Sequence, residues 1–184
     1  MIELLKSMLP LEQAEELFSI AKVKRVKAKE YFISEGEIPK KMAFVGEGLF
    51  RYVYINIKGH EFTKSIIPEF NFISSYSAMI TQTPSYFYIE ALEDSEILEI
   101  PYQKWLKLKE GNLHWNSFLV KQLEKAFTIK EKRERELLML DAETRYANFL
   151  NESPNLQNRV KQHIIASYLG IHPESLSRIR KISS

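Results

Sequence analysis

Residues 160–181 read VKQHIIASYLGIHPESLSRIRK, and the spacing of their apolar side chains decides how the whole chain is read. Ile164, Ile165, Tyr168 and Leu169 form one group at helical spacing, and Ile171, Leu176 and Ile179 form a second. Gly170 stands between the groups. A glycine there lets the backbone take the positive φ that turns sharply out of one helix into the next, and Ala166 leaves room for the second helix to cross closely. Pro173 suits the first turn of that second helix, where a missing N–H removes no bond, and Glu174 suits the positive end of its dipole. The stretch predicts a helix-turn-helix. Its outward positions on the second helix are Glu174, Ser175, Ser177, Arg178 and Lys181. Arginine can donate two hydrogen bonds to a guanine edge, glutamate can accept from a cytosine amino group, and serine reaches phosphates or base edges. These five are the candidate DNA-binding residues. An ordinary helical hairpin with a solvated face is the competing reading.

The charge of the chain is concentrated around this stretch. The formal net charge is only +2, yet residues 1–120 carry 14 Lys and Arg against 16 Asp and Glu, while residues 121–184 carry 12 against 8. From Arg159 to Lys181 the ratio is 5 to 1, a local bias that phosphate backbones attract and that a solvated helix face can also carry. At 184 residues and 45% hydrophobic, the chain can bury one good core or one core plus a small appended domain. The absence of cysteine excludes disulfides, thiolate zinc sites, cysteine-ligated iron–sulfur clusters and a cysteine nucleophile. No stretch approaches the roughly 20 apolar residues that span a bilayer, so no membrane partner and a cytoplasmic location are expected.

Working upstream, residues 112–141 contain neither proline nor glycine, which predicts one helix of roughly eight turns. Its alternating four- and three-residue steps place Trp115, Leu119, Gln122, Ala126 and Ile129 on one seam, with Leu123 beside it and Phe127 widening the apolar face. Those residues are the candidate dimer contacts. The helix could instead pack only on its own domain, but it is too long to be buried on about 100 residues of β structure, which favours pairing with a second copy. DAETRYANFL, residues 141–150, then opens another helix with Asp141 as its cap. NESPNLQN reads as a connector. Between Val23 and Ile100, short strand-forming runs are punctuated by SEGEIPK, GEG, NIKGHE, TQTPS and EDSE at intervals of about 8–12 residues, the rhythm of an antiparallel sandwich or barrel. The first twenty residues read as helical, interrupted at Pro10.

The order of a β-roll, one long helix and a terminal helix-turn-helix resembles the Crp/Fnr family of bacterial transcription regulators. EGEIPKKMAFVGEGLFRYVY, EALEDSEILEIP, DAETRYANFL and QHIIASYLGIHPESLSRIRK carry the resemblance, which spans nearly the whole chain. It implies an α+β architecture in three parts: a cyclic nucleotide-binding-like jelly roll over residues 1–110, a dimerisation helix over residues 111–140, and a helix-turn-helix DNA-binding domain over residues 141–184. It also implies a homodimer on a two-fold-symmetric double-stranded DNA site, with RNA polymerase as a candidate partner and no enzymatic activity. In the family's recognition helix an arginine, a glutamate and a later arginine commonly touch bases. Here Pro173 takes the first of those places, while Glu174 and Arg178 take the others, so one base contact is missing and a different operator is expected. After Lys181 no strand pair is expected, so wing-like backbone contacts are sought near residues 157–161.

Relatives that bind cyclic AMP hold the ribose with a Gly-Glu pair and the phosphate with an Arg-Ser or Arg-Thr pair. Those places fall on Ser74 and Ser75 and on Ser85 and Tyr86. NFISSYSAMITQTPSYFY contains no Arg, Lys or Gly, so a shifted register does not restore them. A cyclic phosphate buried without its arginine would lack a charge partner. Cyclic AMP dependence is therefore not expected, and Phe70, Phe72, Tyr76, Tyr86 and Tyr88 leave open either plain core packing or an unknown aromatic or apolar effector. A metal-dependent β-barrel enzyme needs clustered histidines, and the β region offers only His60. No cofactor or metal is expected. A ligand-binding or scaffolding protein whose helix-turn-helix contacts protein rather than DNA stands as the alternative from another class.

Overall fold

A computed structural model describes residues 1–182 of the chain. Two N-terminal helices, α1 (Ile2–Met8) and α2 (Leu11–Ile20), break at Pro10 as the pattern predicts. Eight strands follow: β1 (Lys22–Val26), β2 (Tyr31–Ile33), β3 (Lys41–Glu47), β4 (Phe50–Ile55), β5 (Glu61–Ile67), β6 (Phe72–Ile73), β7 (Tyr88–Ala91) and β8 (Ser95–Pro101). They form two four-stranded antiparallel sheets, ordered β1-β8-β3-β6 and β2-β7-β4-β5, packed as a jelly roll.

In the first sheet, β3 and β8 carry buried residues on both faces, while β1 is largely exposed, and the period of two along β3 shows how. In β3, Ala43 and Val45 point into the space between the sheets with Phe32, Ile33, Phe50, Ile89 and Ile97. Met42 and Phe44 point the other way, where α1, α2, α4 (Tyr102–Lys109) and the first turns of α5 (Leu113–Met139) cover them with Leu5, Leu17, Trp105 and Trp115. Helix α4, and the short α3 (Tyr76–Thr81) between β6 and β7, are not among the helices expected from the sequence.

Asn112 caps α5 by accepting from the Trp115 N–H at 3.3 Å. The 27 residues of α5 extend for about 40 Å at the usual rise per residue. Asp141 then caps α6 (Ala142–Glu152) through the Thr144 N–H at 2.8 Å, and that bond holds its carboxyl below the ordinary range. The expected connector contains one turn of helix, α7 (Leu156–Arg159). Helices α8 (Gln162–Leu169) and α9 (Pro173–Ile182) close the chain.

The C-terminal helices do not hang free. Tyr146, Phe149, Leu156, Ile164, Ile165, Leu169, Leu176 and Ile179 form a second core, and Leu49 from the turn between β3 and β4 is buried within it. Ile66 and Leu92 of the β-roll pack against the same cluster. Gly48, at φ +109°, makes that turn, and a Cβ there would lie 2.0 Å from the Ser95 hydroxyl, so only glycine fits.

Candidate nucleic-acid interface

Helix α8 ends at Gly170, whose φ of +68° puts it in the left-handed region, and the Ile171 N–H reaches back to the Ala166 carbonyl at 3.0 Å. Ala166 is wholly buried, which admits α9 across it. Pro173 begins α9, and the Ser175 and Leu176 N–H groups bond the His172 carbonyl. Leu176 and Ile179 face inward. On the other side Glu174, Arg178 and Lys181 are exposed at steps of four and three, with Ser175 and Ser177 half-exposed at the margins. The structure thus brings all five anticipated residues onto one helix, and Arg178 Nη2 lies 3.5 Å from the Ser175 hydroxyl.

Beside this face lies a shallow open concavity lined by Gln162, His163, Pro173, Glu174 and Ser177. Gln162 and His163 open α8, so this concavity joins the start of one helix to the start of the next. The sequence reading did not single them out. Their signal was positional: polar residues in the first turn of the helix preceding a reader helix can face the same groove.

The stretch at residues 157–161, expected to approach phosphates, is partly committed elsewhere. Arg159 bonds Glu69 and Glu93 of the β-roll, and those carboxylates raise its pKa further above its ordinary value. Lys161 is exposed.

Part of the face expected to meet a second copy is covered within the protomer. Trp115 has 0% exposure: its ring packs edge-on against Trp105 and Phe118, and its Nε1–H donates to Glu16 at 2.7 Å. Leu119 packs into the same intramolecular core, and Gln122 is half-buried. The face expected for a partner is, over its first two turns, the face turned to the protomer's own helices. Of that set Leu123, Ala126 and Ile129 are exposed. A second stripe lies in the open: Leu113, Val120 and Phe127 recur every seven residues, with Leu123 between them. Spacing along one helix reveals both apolar stripes and cannot say which of them the rest of the chain will cover.

The effector positions are filled by the protein itself. Ser75 and Ser85, each 1% exposed, share a 2.9 Å hydrogen bond, and Ser85 also donates to the Phe87 carbonyl. The Ser74 N–H donates to the Tyr52 hydroxyl at 3.0 Å, and burial pushes that hydroxyl up to about 12. Tyr52 stacks on Phe87 at 5.1 Å, and Lys64 Nζ sits 4.1 Å above the Phe87 ring. Burial, with the Lys130 charge second, lowers the Lys64 pKa. Tyr86 points to solvent, 76% exposed. A cyclic phosphate at Ser75 and Ser85 would displace two mutually satisfied hydroxyls and find no guanidinium there, so these residues do not fit that ligand.

Jelly roll, long helix and helix-turn-helix together define the fold of the Crp/Fnr transcriptional regulators. Residues 23–112 match the cyclic nucleotide-binding domain family. No curated protein matches the sequence. Among solved structures, FixK2 from Bradyrhizobium japonicum is 16% identical, with a TM-score of 0.77 over 88% of this chain and 83% of its own. The c-di-GMP responsive global regulator CLP of Xanthomonas campestris is 16% identical, with a TM-score of 0.75 over 92% and 89%. A transcriptional regulator of the Crp/Fnr family from Eubacterium rectale is 17% identical, with a TM-score of 0.73 over 97% and 85%. Among the described residues no helix is long and apolar enough to cross a membrane.

Proposed function

We propose that this protein is a sequence-specific transcriptional regulator that binds a two-fold-symmetric double-stranded DNA site as a homodimer, independently of cyclic AMP. Residues 1–110 serve as the effector-type domain, residues 111–140 as the dimerisation helix and residues 141–184 as the DNA-binding domain. The observation that carries the reading is the outward face of α9, where Glu174, Arg178 and Lys181 stand exposed over a fully packed Leu176 and Ile179. Pairing through the open stripe of Leu113, Val120, Leu123 and Phe127 would present two such helices to successive major grooves. The site acts on DNA by binding, in the cytoplasm, and RNA polymerase is the partner through which binding changes transcription.

Selection of bound duplexes from a random pool by the full chain tests this. The expected result is a palindromic motif with half-sites about one helical turn apart. Arg178→Ala should weaken binding by about 1–3 kcal/mol and relax one base position. A scaffolding role predicts no enriched motif and no sequence-dependent loss in the variant.

A further inference from the structure

The boundary between the β-roll and the C-terminal helices is built as a clasp. From α7, Arg159 Nη1 donates to Glu69 Oε2 at 3.1 Å and Nη2 to Glu69 Oε1 at 2.6 Å. The same guanidinium reaches Glu93 through Nε at 3.4 Å and through Nη2. Glu69 also accepts from the Gly48 N–H at 3.2 Å, so one carboxylate joins the β3–β4 turn to α7. From α8, the Ser167 hydroxyl accepts from the Thr63 N–H at 2.8 Å and donates to the Glu61 carbonyl at 3.1 Å, so one hydroxyl serves both an N–H and a C=O of β5. From α5, Arg133 lies 3.8 Å from the Tyr168 ring centre and donates to the Thr63 carbonyl at 3.2 Å. Leu49 supplies the apolar centre of this junction.

None of these groups comes from the outward face of α9. The contacts use α5, α7 and α8, while Glu174, Arg178 and Lys181 stay exposed. A contact meant to mask the reader helix would spend those side chains. We propose that these groups form an interdomain clasp that fixes the angle at which α9 is presented, so that the chain holds its DNA-binding geometry without a ligand. This rests on the DNA-binding reading above.

The test uses the full chain and the double variant Glu69→Gln/Glu93→Gln, with Ser167→Ala as a second, milder lesion. Removing two negative charges should strengthen DNA binding if only long-range electrostatics matter. The clasp predicts the opposite sign: affinity for the selected duplex falls by about tenfold, with dimerisation unchanged. Amide exchange at Gly48 and Thr63, measured without DNA, should speed up by about tenfold in the variant that loosens each contact. Unchanged exchange at both amides overturns the clasp. Tighter duplex binding in the double variant overturns its presenting role and makes it a mask. If the wild-type chain binds no duplex, the DNA-binding reading fails, and the exchange result alone still decides whether the two parts are clasped.

Discussion

Replacing Phe127 with alanine is the sharpest test of the proposed pairing of two copies along α5. Phe127 is 65% exposed in the protomer, on the open stripe it shares with Leu113, Val120 and Leu123. A phenylalanine presents about 150–250 Å² when fully accessible, so about 100–160 Å² of it awaits cover. At about 25 cal/mol per Å², and allowing for the methyl that alanine keeps, each copy loses about 2–3 kcal/mol. Both copies change at once, so the dimer weakens by about 4–6 kcal/mol, or about 10³–10⁴-fold in its dissociation constant. Sedimentation equilibrium over a wide concentration range reads this directly, and circular dichroism should show an unchanged fold because Phe127 has little intramolecular packing to lose. A dimer constant that stays within a factor of three would refute the assignment of the seam to this stripe. So would a Gln122→Glu variant that dissociates the dimer more strongly than Phe127→Ala does.

Other consequences follow from single contacts. Arg51 is 4% exposed and bonds both Glu90 and Glu61 at 2.6 Å, so Arg51→Ala leaves two carboxylates facing one another and should cost about 3–5 kcal/mol in urea unfolding. Gly170→Ala forces an L-residue to φ +68° and sets a Cβ 3.1 Å from Leu137, costing about 1–2 kcal/mol and lowering the melting temperature. Glu69 is held below the ordinary carboxylate range, first by its hydrogen bonds from Arg159, with Glu93 the other charged group at that guanidinium. A depressed carboxyl adds stability above its unfolded pKa that is lost as pH falls through its folded pKa, so exchange protection at Gly48 should hold from pH 7 to about 5 and decline below about pH 4.

The readable parts of this chain were those whose geometry is local. Gly170 directly follows α8 and Pro173 is the first residue of α9, and their roles follow from φ preference and a missing donor alone. Asp141 as a cap is equally local. The strands were legible because alternation and turn residues recur, although β6, with two residues, sits below that threshold. The phase of α5 was not legible, because Trp115 and Phe127 look alike in sequence and differ only in whether Trp105 and Glu16 are nearby in space. The clasp was hidden for the same reason. Arg159 and Glu69 are 90 residues apart, and no periodicity links a connector arginine to a loop carboxylate.

Leu49 belongs to the β-roll by its place in the chain and to the helix-turn-helix by where its side chain lies. Two folding units that share a wholly buried leucine cannot melt one at a time, because loosening either exposes apolar surface in both. Heat should therefore be taken up in one calorimetric transition, with equal van't Hoff and measured enthalpies, despite an architecture of separate parts. Leu49→Ala should split that peak in two. The same coupling means that strain arising at α9 reaches the turn between β3 and β4 through packed side chains.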